Sequence, residues 1–356
     1  MTGAPFVHLH LHTEYSLVDS TVRIAQLMER CAADGMPAVA LTDQNNLFGM
    51  VKFYRKAMAA GIKPIIGADL RIATEDDPAR PWHLVVLCQD TAGYRSLSTL
   101  LTRAYLEGQV RGEPLLHREW LTAESCGGLI ALSGGLHGDV GHALHNDHYD
   151  LAQSLLDGWQ SVFGDRYYLE LVRTGRAGEE DTVQASLTLA SDTRTPVVAS
   201  NDVRFLDRDD FNAHEARVCI HDGRVLGDPD RPKHYSEEQY LRSGQEMAEL
   251  FADIPAALEN AREIARRCSL DLELGESVLP AFPVPQDQTE AEFLEAEARR
   301  GLETQLERIL EAREIPPNER DATSAPYFDR LRVELGVITS MGFPGYFLIV
   351  ADFIRW

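Results

Sequence analysis

The sequence predicts an α/β fold built on a parallel sheet, followed by a helical C-terminal part. Seven short apolar runs rich in β-branched residues lie within the first 200 residues. Helical patterns separate most of them, and alternating βα units imply a parallel sheet, open or closed. Beyond residue 205 the strand-like runs cease and helical periodicity takes over. Strand spacing fits a closed barrel near the (β/α)8 type, and an open doubly wound sheet is the alternative.

The strand-like runs are residues 6–12, 38–43, 63–73, 83–88, 129–133, 167–172 and 196–200. The clearest helix spans 21–34, with Ile24, Leu27, Met28, Cys31 and Ala32 at helical spacing. Gly35 then stands where a left-handed C-cap is wanted, and Pro37 blocks continuation. Residues 48–60 and 92–106 behave alike, each ending before a glycine. One junction breaks the rhythm. Runs 63–73 and 83–88 are joined by residues 74–82, too short for a helical crossover. Asp76, Asp77 and Pro78 supply turn chemistry, so an antiparallel hairpin is expected. A turn centred near Asp76 would set residues 69 and 83 opposite each other. Later, 240–251 and 255–268 read as helices, the second with Pro255 at its first position. A first domain is therefore expected over 1–270. Residues 280–289 hold three prolines and read as a linker. Residues 290–314, 328–338 and 346–356 read as helices. The last is strongly apolar and uncapped, as in a second domain, 271–356, of which only the beginning is present.

Composition bounds the function. The chain has 356 residues, 34 Lys and Arg against 56 Asp and Glu, and a net charge of −22. The 44% apolar content supports a large core and excludes a disordered chain. No apolar run approaches the ~18 residues of a membrane span, and residues 1–6 lack a signal-peptide pattern. The five cysteines are scattered, with no C-x-x-C pair, which suits reduced, cytoplasmic thiols. Acidity runs through both parts: −13 over residues 1–270 and −9 over 271–356. Neither part reads as a surface that grips nucleic acid by itself.

Chemistry concentrates at residues 8–19. His8, His10 and His12 alternate along a strand and share one face, ~7 Å apart at each step, with Ser16 and Asp19 following. Imidazoles so placed can ligate metal; the plainer reading is histidines satisfied by hydrogen bonds on a half-buried strand. Asp43 and Gln44, Asp69, His83, Gly134 and Gly135, and the stretch Asn201-Asp202-Val203-Arg204 sit at or near other strand ends. In a barrel such ends converge on one mouth. His137, His142, His145 and His148 form a second cluster, read mainly as a solvated helix. Nucleophile-elbow, P-loop and H-E-x-x-H motifs are absent from the sequence.

These residues resemble known motifs. The stretch from Phe6 through His8-Leu9-His10-Leu11-His12-Thr13 to Ser16 resembles the first motif of PHP (polymerase and histidinol phosphatase) domains. Thr42-Asp43-Gln44-Asn45-Asn46, Gly61 to Gly67, and Val198 to Phe205 resemble later ones. The stretch from Met341-Gly342-Phe343-Pro344-Gly345-Tyr346 to Phe353 is similar to a specific segment of the bacterial DNA polymerase III alpha subunit family.

The resemblance implies a distorted seven-stranded (β/α)7 barrel of the PHP type over 1–270, then the mostly helical beginning of a polymerase palm domain over 271–356. Intact PHP sites hold up to three metal ions on nine ligands and hydrolyse phosphoesters. Carried over by position, His10, His12, Asp19, His83 and Asp202 match ligands, and Asp69 stands for a glutamate. Gln44, Gly135 and Arg204 replace the other family ligands. Arg204 is the sharpest departure: a permanent cation in the site repels divalent metal, or replaces it by pairing Asp202 or Asp19. Trinuclear hydrolysis is therefore expected to be lost or feeble, with room for one residual divalent ion (Zn, Mn or Mg). The resemblance further implies a cytoplasmic replicase module that buttresses the palm and docks the proofreading exonuclease (epsilon) subunit among other replicase subunits. Polymerase catalysis and its Mg, like contact with DNA, would belong to the remainder of the polymerase. The alternatives are an active metal-dependent phosphoesterase or 3′–5′ exonuclease of the PHP type and, less in keeping with the polymerase-like end, a stand-alone histidinol phosphatase.

Overall fold

The computed structural model describes residues 6–74, 80–275 and 279–356. The chain divides into two compact units, Met1–Leu272 and Glu273–Trp356. The first is built on a six-stranded sheet. Its strands are β1 (Ala38–Leu41), β2 (Lys63–Ile72), β3 (Trp82–Cys88), β4 (Leu129–Leu132), β5 (Tyr167–Val172) and β6 (Val197–Ser200), and they pair in chain order. β1, β4, β5 and β6 are buried at every residue, which explains their continuous apolar runs.

The sheet is mixed rather than parallel. β1 and β2 are parallel, as are β4, β5 and β6, but β3 is antiparallel to both neighbours. The short β2–β3 connection forces this reversal. The expected turn residues 76–78 lie outside the described residues. Register differs by one same-face step from the expectation: Arg71 stands opposite His83, and Asp69 opposite Val85. Since residues 69 and 71 share a face, His83 still reaches Asp69.

The run 6–12 forms only an isolated bridge, Leu11 to Val203, instead of a regular strand. Its backbone nevertheless bonds on both sides. The Ala40 and Thr42 amides donate to the carbonyls of His8 and Leu11, at 2.8 and 2.9 Å. On the other side Val203 N–H donates to the His10 carbonyl at 3.1 Å, and His12 N–H to the Val203 carbonyl at 3.0 Å. The run therefore joins β1 to the segment after β6, and the curled sheet returns on itself.

Helices surround this sheet. α1 (Ile24–Ala33) buries Ile24, Leu27, Met28 and Cys31. It starts later than its pattern suggests because Thr21 N–H is bonded to the Arg204 carbonyl. Gly35 takes φ +66°, the left-handed turn anticipated after the helix. α2 (Met50–Ala59) and α3 (Thr91–Glu107) follow β1 and β3. The second histidine cluster is split: His137 ends a short 3-10 turn, His142 and His145 lie on α4 (Asp139–His145), and His148 precedes α5 (Tyr149–Phe163). α6 (Glu179–Thr193) and α7 (Phe211–Asp222) flank β6 in sequence. α8 (Gly244–Leu250) begins at a Ser243–Glu246 capping box, not at residue 240, because Tyr240 bridges Phe205. α9 (Pro255–Arg267) starts on Pro255 as expected. All five cysteines are buried and unpaired.

The second unit holds α10 (Glu290–Ala312), α11 (Arg320–Ser340) and α12 (Pro344–Arg355). α11 is longer than residues 328–338 because it runs through Pro326, where a sequence reading stops. Among the described residues no single helix is long and apolar enough to cross a membrane.

Candidate functional site

The site assembles where the 6–12 run meets the ends of the strands. His10 directs Nδ1 at Glu170 Oε1, 2.8 Å away. Its Nε2 has no hydrogen-bond partner and lies 3.5 Å from Asp202 Oδ1 and 3.7 Å from Asp69 Oδ2. His12 Nε2 is likewise unpartnered and lies 3.3 Å from Asp69 Oδ2. His8 departs from the shared-face expectation. Its Nε2 is 2.8 Å from the Arg242 carbonyl, and burial pushes its pKa down to about 4. It is a neutral structural histidine apart from the other two.

Asp69 gathers histidines. His83 Nδ1 lies 2.8 Å from its Oδ2, while its Oδ1 is unpartnered. Burial opposes its charge, but His83, His10 and His12 outweigh burial and hold the carboxyl well below the usual range. For His10, burial also opposes the charge, and Glu170, Asp202 and Asp69 prevail, raising its pKa to about 10.

Arg204 occupies the centre. Its Nε donates to Asp202 Oδ1 at 2.7 Å and Nη1 to His12 Nδ1 at 2.6 Å, and Nη1 also bonds Asp19 Oδ2. Ser16 Oγ sits 3.0 Å from the same His12 nitrogen. The Arg204 guanidinium overcomes burial and keeps Asp19 and Asp202 charged well below the ordinary carboxylate range. Asp202 has φ +46°, a left-handed backbone that aspartate tolerates better than most residues. Gln239 fixes it from behind, donating to Asp202 Oδ2 at 2.8 Å.

Of Gln44, Gly135 and Arg204, the positions where the resemblance led us to expect a departure from the ligand set, only Arg204 reaches the centre. Gln44 turns its amide oxygen towards Arg71, 3.5 Å away. Gly135 has φ +53°, and a Cβ there would sit 3.2 Å from Val172. At Gly134 the backbone is packed closely, since a Cβ on it would lie 2.4 Å from the His83 carbonyl oxygen.

The donor set fits one cation. His10, His12 and Asp202 each offer a ligand atom, all within 4.8 Å of one another. The orphaned Nε2 atoms lie in a buried, carboxylate-rich pocket, where an ion would have to displace the proton that the carboxylates hold on His10 and share Asp202 with Arg204; mixed N/O donors suit zinc or manganese. A two- or three-ion cluster fits poorly, since Asp19 and Asp202 already hold a guanidinium.

Three participants were missing from the sequence reading. Glu170 orients His10, and its signal is a lone acid inside the apolar strand β5. Arg176 places Nη1 3.2 Å from Asp202 Oδ2. His137, assigned to a solvated helix, packs its ring 5.5 Å from His83.

Comparison with known proteins gives two family matches. Residues 8–174 match the PHP domain family, and residues 292–356 match the family described as bacterial DNA polymerase III alpha NTPase domain. The DNA polymerase III subunit alpha of Pseudomonas aeruginosa is 49% identical over 351 residues, covering 99% of this chain and 30% of that protein. The Vibrio cholerae subunit is 46% identical over 356 residues, again 30% of its length. The chain thus spans about a third of the curated relatives it matches. Among solved structures, an amidohydrolase from Chromobacterium violaceum is 14% identical with a TM-score of 0.42, covering 59% of this chain and 96% of that one. By its two family matches and its similarity along 99% of its own length, the chain carries a PHP domain and corresponds to the amino-terminal region of bacterial DNA polymerase III alpha subunits.

Proposed function

We propose that this chain is the non-polymerising amino-terminal module of a cytoplasmic replicative DNA polymerase, with a PHP domain over 1–270 and the beginning of the palm over 271–356. In this reading the PHP site is degenerate and structural, and the module buttresses the palm and docks the proofreading exonuclease (epsilon) subunit. The replicase reading is supported by the similarity to polymerase III alpha subunits, and one observation carries the degenerate site: the Arg204 guanidinium lies in the site centre, bound to Asp19, Asp202 and His12. A divalent ion that clamps phosphate oxygens needs those carboxylates for itself. A fixed cation that already holds them competes at every step of metal binding.

Two lines of test separate the parts. Purified chain incubated with Zn, Mn or Mg and desalted should retain at most one equivalent of metal by mass spectrometry. It should not hydrolyse a nitrophenyl phosphodiester or trim a DNA 3′ end. Retention of two or three equivalents, with hydrolysis abolished by His12→Ala, would overturn the structural reading. Docking is tested separately by gel filtration with the exonuclease subunit, where a co-eluting complex is expected and separate elution at micromolar concentration counts against it.

A second reading has its own support. The unpartnered Nε2 atoms of His10 and His12 facing Asp69 and Asp202 suit one bound ion. Such an ion would supply Lewis-acid activation of a phosphoester, and the chain would then be a weak phosphoesterase. The same metal and hydrolysis measurements decide between the two readings.

A further inference from the structure

A cleft of about 460 Å³ opens over the site, and its lining includes Trp82, His83, His137, Arg204, His234 and Tyr235. The last two belong to a strap, residues 223–236, that runs from the end of α7 towards the Tyr240 bridge without forming a helix or strand. The strap is exposed along most of its length, at 223–227, 229–230 and 232–234.

Two side chains fasten it to the body. Arg231 donates through Nη1 to Glu215 Oε2 on α7, and the paired side chains are only 12% and 3% exposed. Glu215 Oε1 lies 3.7 Å from His214 Nδ1, a buried nitrogen without a hydrogen-bond partner. Tyr235 meets the His214 ring edge to face at 4.6 Å, and its ring centre lies 5.8 Å from the Arg204 guanidinium. Within itself the strap is stiff. Pro229 and Pro232 fix their φ angles, Arg224 Nη1 donates to Asp228 Oδ2 at 3.0 Å, and Arg231 N–H donates to the Asp228 carbonyl at 3.4 Å. Its two ends are suited to pivoting. Gly223 turns at φ +65° with open space where a Cβ would stand. At the other end Ser236 is held to the body, its N–H donating to Gln239 Oε1 at 3.0 Å and its hydroxyl to the Thr174 carbonyl.

We propose that residues 223–236 form a hinged lid over the Arg204 side of the cleft, closed in this structure by the Arg231–Glu215 latch and opening as one unit about Gly223 and Ser236. A buried ion pair between two packed elements strands a charge when it breaks. Here opening returns both charges to water, so the latch is reversible. Closed, Tyr235 shields the guanidinium that Asp19 and Asp202 hold, and exclusion of water strengthens those pairs. Open, the lid bares Arg204 to whatever enters the cleft. The inference rests on Arg204 holding the site centre, and it goes beyond that reading by giving the site a gate.

The test is hydrogen exchange of the whole chain, read by mass spectrometry, together with phenylglyoxal modification of Arg204, read by peptide mass. In the parent chain the strap amides should exchange together, faster than those of β6 but slower than an unstructured chain. Glu215→Gln and Arg231→Gln should each speed strap exchange ~10-fold or more, the scale of a lost charge-assisted hydrogen bond, and leave β5 and β6 unchanged. Arg204 modification should accelerate by the same factor. Arg231→Lys, which keeps the charge, should restore most of the slow exchange. Strap amides that exchange in the parent as an unstructured chain would overturn the latch, as would rates indifferent to both Gln variants. Faster strap exchange with Arg204 modification unchanged would overturn the lid. Acceleration spread over β5 and β6 would make the ion pair a support of the fold and overturn the proposal too. None of these failures touches the degenerate-site reading, which metal retention and hydrolysis decide separately.

Discussion

The Arg204 guanidinium and the Asp19 carboxylate form an ion pair with side chains only 4% and 6% exposed. They are 185 positions apart in sequence, so the pair ties the loop after the 6–12 run to the segment after β6. Asp202, two residues from Arg204, closes a triad with the same cation. Breaking such a group leaves a buried charge without compensation. Arg204→Ala should therefore cost ~3–5 kcal/mol of stability. Urea denaturation measures it, and a loss under about 1 kcal/mol would mean that water compensates the carboxylates freely.

Arg204→His replaces the fixed cation by a ligand. Asp19, Asp202 and His12 would then face an ion instead of a guanidinium. Added zinc should raise the melting temperature of this variant in a concentration-dependent way, since a ligand that binds only the native state stabilises it. The parent chain should respond ~10-fold more weakly in the concentration required, the scale on which outer partners tune metal sites. Equal response of both chains would remove Arg204 as the reason for poor metal binding.

Stability should peak near weakly acidic to neutral pH. His10 is raised from 6.5 to about 10, so its contribution is complete below about pH 6.5 and is lost as pH climbs toward 10. His8 and His137 are lowered to about 4 and about 3 and stay neutral when folded. Their effect has the opposite sign: stability falls as pH drops below 6.5, where the unfolded chain takes up protons first. Asp19, Asp69 and Asp202 are held below the usual carboxylate range, so they add a loss once pH falls below about 4. Each pH unit over which one proton differs is worth about 1.4 kcal/mol. Urea midpoints from pH 4 to 9 check this, and a flat alkaline limb would contradict the His10 assignment.

Much of this site could be read from the chain alone, for identifiable reasons. His10 and His12 are two apart, and strand geometry puts such residues on one face. The β2–β3 reversal follows from a connection too short for a helix. The pairing register does not follow, because it depends on turn conformation, and it shifted by two residues. Glu170 escaped notice because an acid in an apolar strand looks like a mismatch until its partner, His10, arrives from 160 positions away. His137 was hidden by the helical spacing of its neighbours. The left-handed pair Gly134 and Gly135 turns the chain before it, at φ +76° and +53°, and brings the imidazole into the cleft.

Gly134 has two constraints that can be separated. Its φ is +76°, and a Cβ would lie 2.4 Å from the His83 carbonyl oxygen. Gly61 has φ +70° but open space around its Cβ position. Gly61→Ala should therefore cost only the left-handed backbone term, ~1–2 kcal/mol. Gly134→Ala should cost that and more, because His83 must retreat from Asp69. Thermal unfolding of the two variants isolates the close approach, and equal losses would show that the carbonyl moves aside without cost.

Glu170 determines the state of His10. Its Oε1 faces His10 Nδ1 at 2.8 Å and accepts from the Ser200 hydroxyl, while Oε2 has no partner. Among the groups that raise the His10 pKa, Glu170 is the leading one. Glu170→Gln keeps the volume and an acceptor but removes the charge, so His10 should titrate closer to 6.5. The alkaline limb of stability should shrink with it, because the two have the same origin. The imidazole C–H resonances seen by NMR report the titration directly. If His10 still titrates near 10 in Glu170→Gln, then Asp69 and Asp202 suffice to hold the proton. Glu170 would then only orient the ring, and a metal ion on Nε2 would compete with those two carboxylates' proton rather than with Glu170.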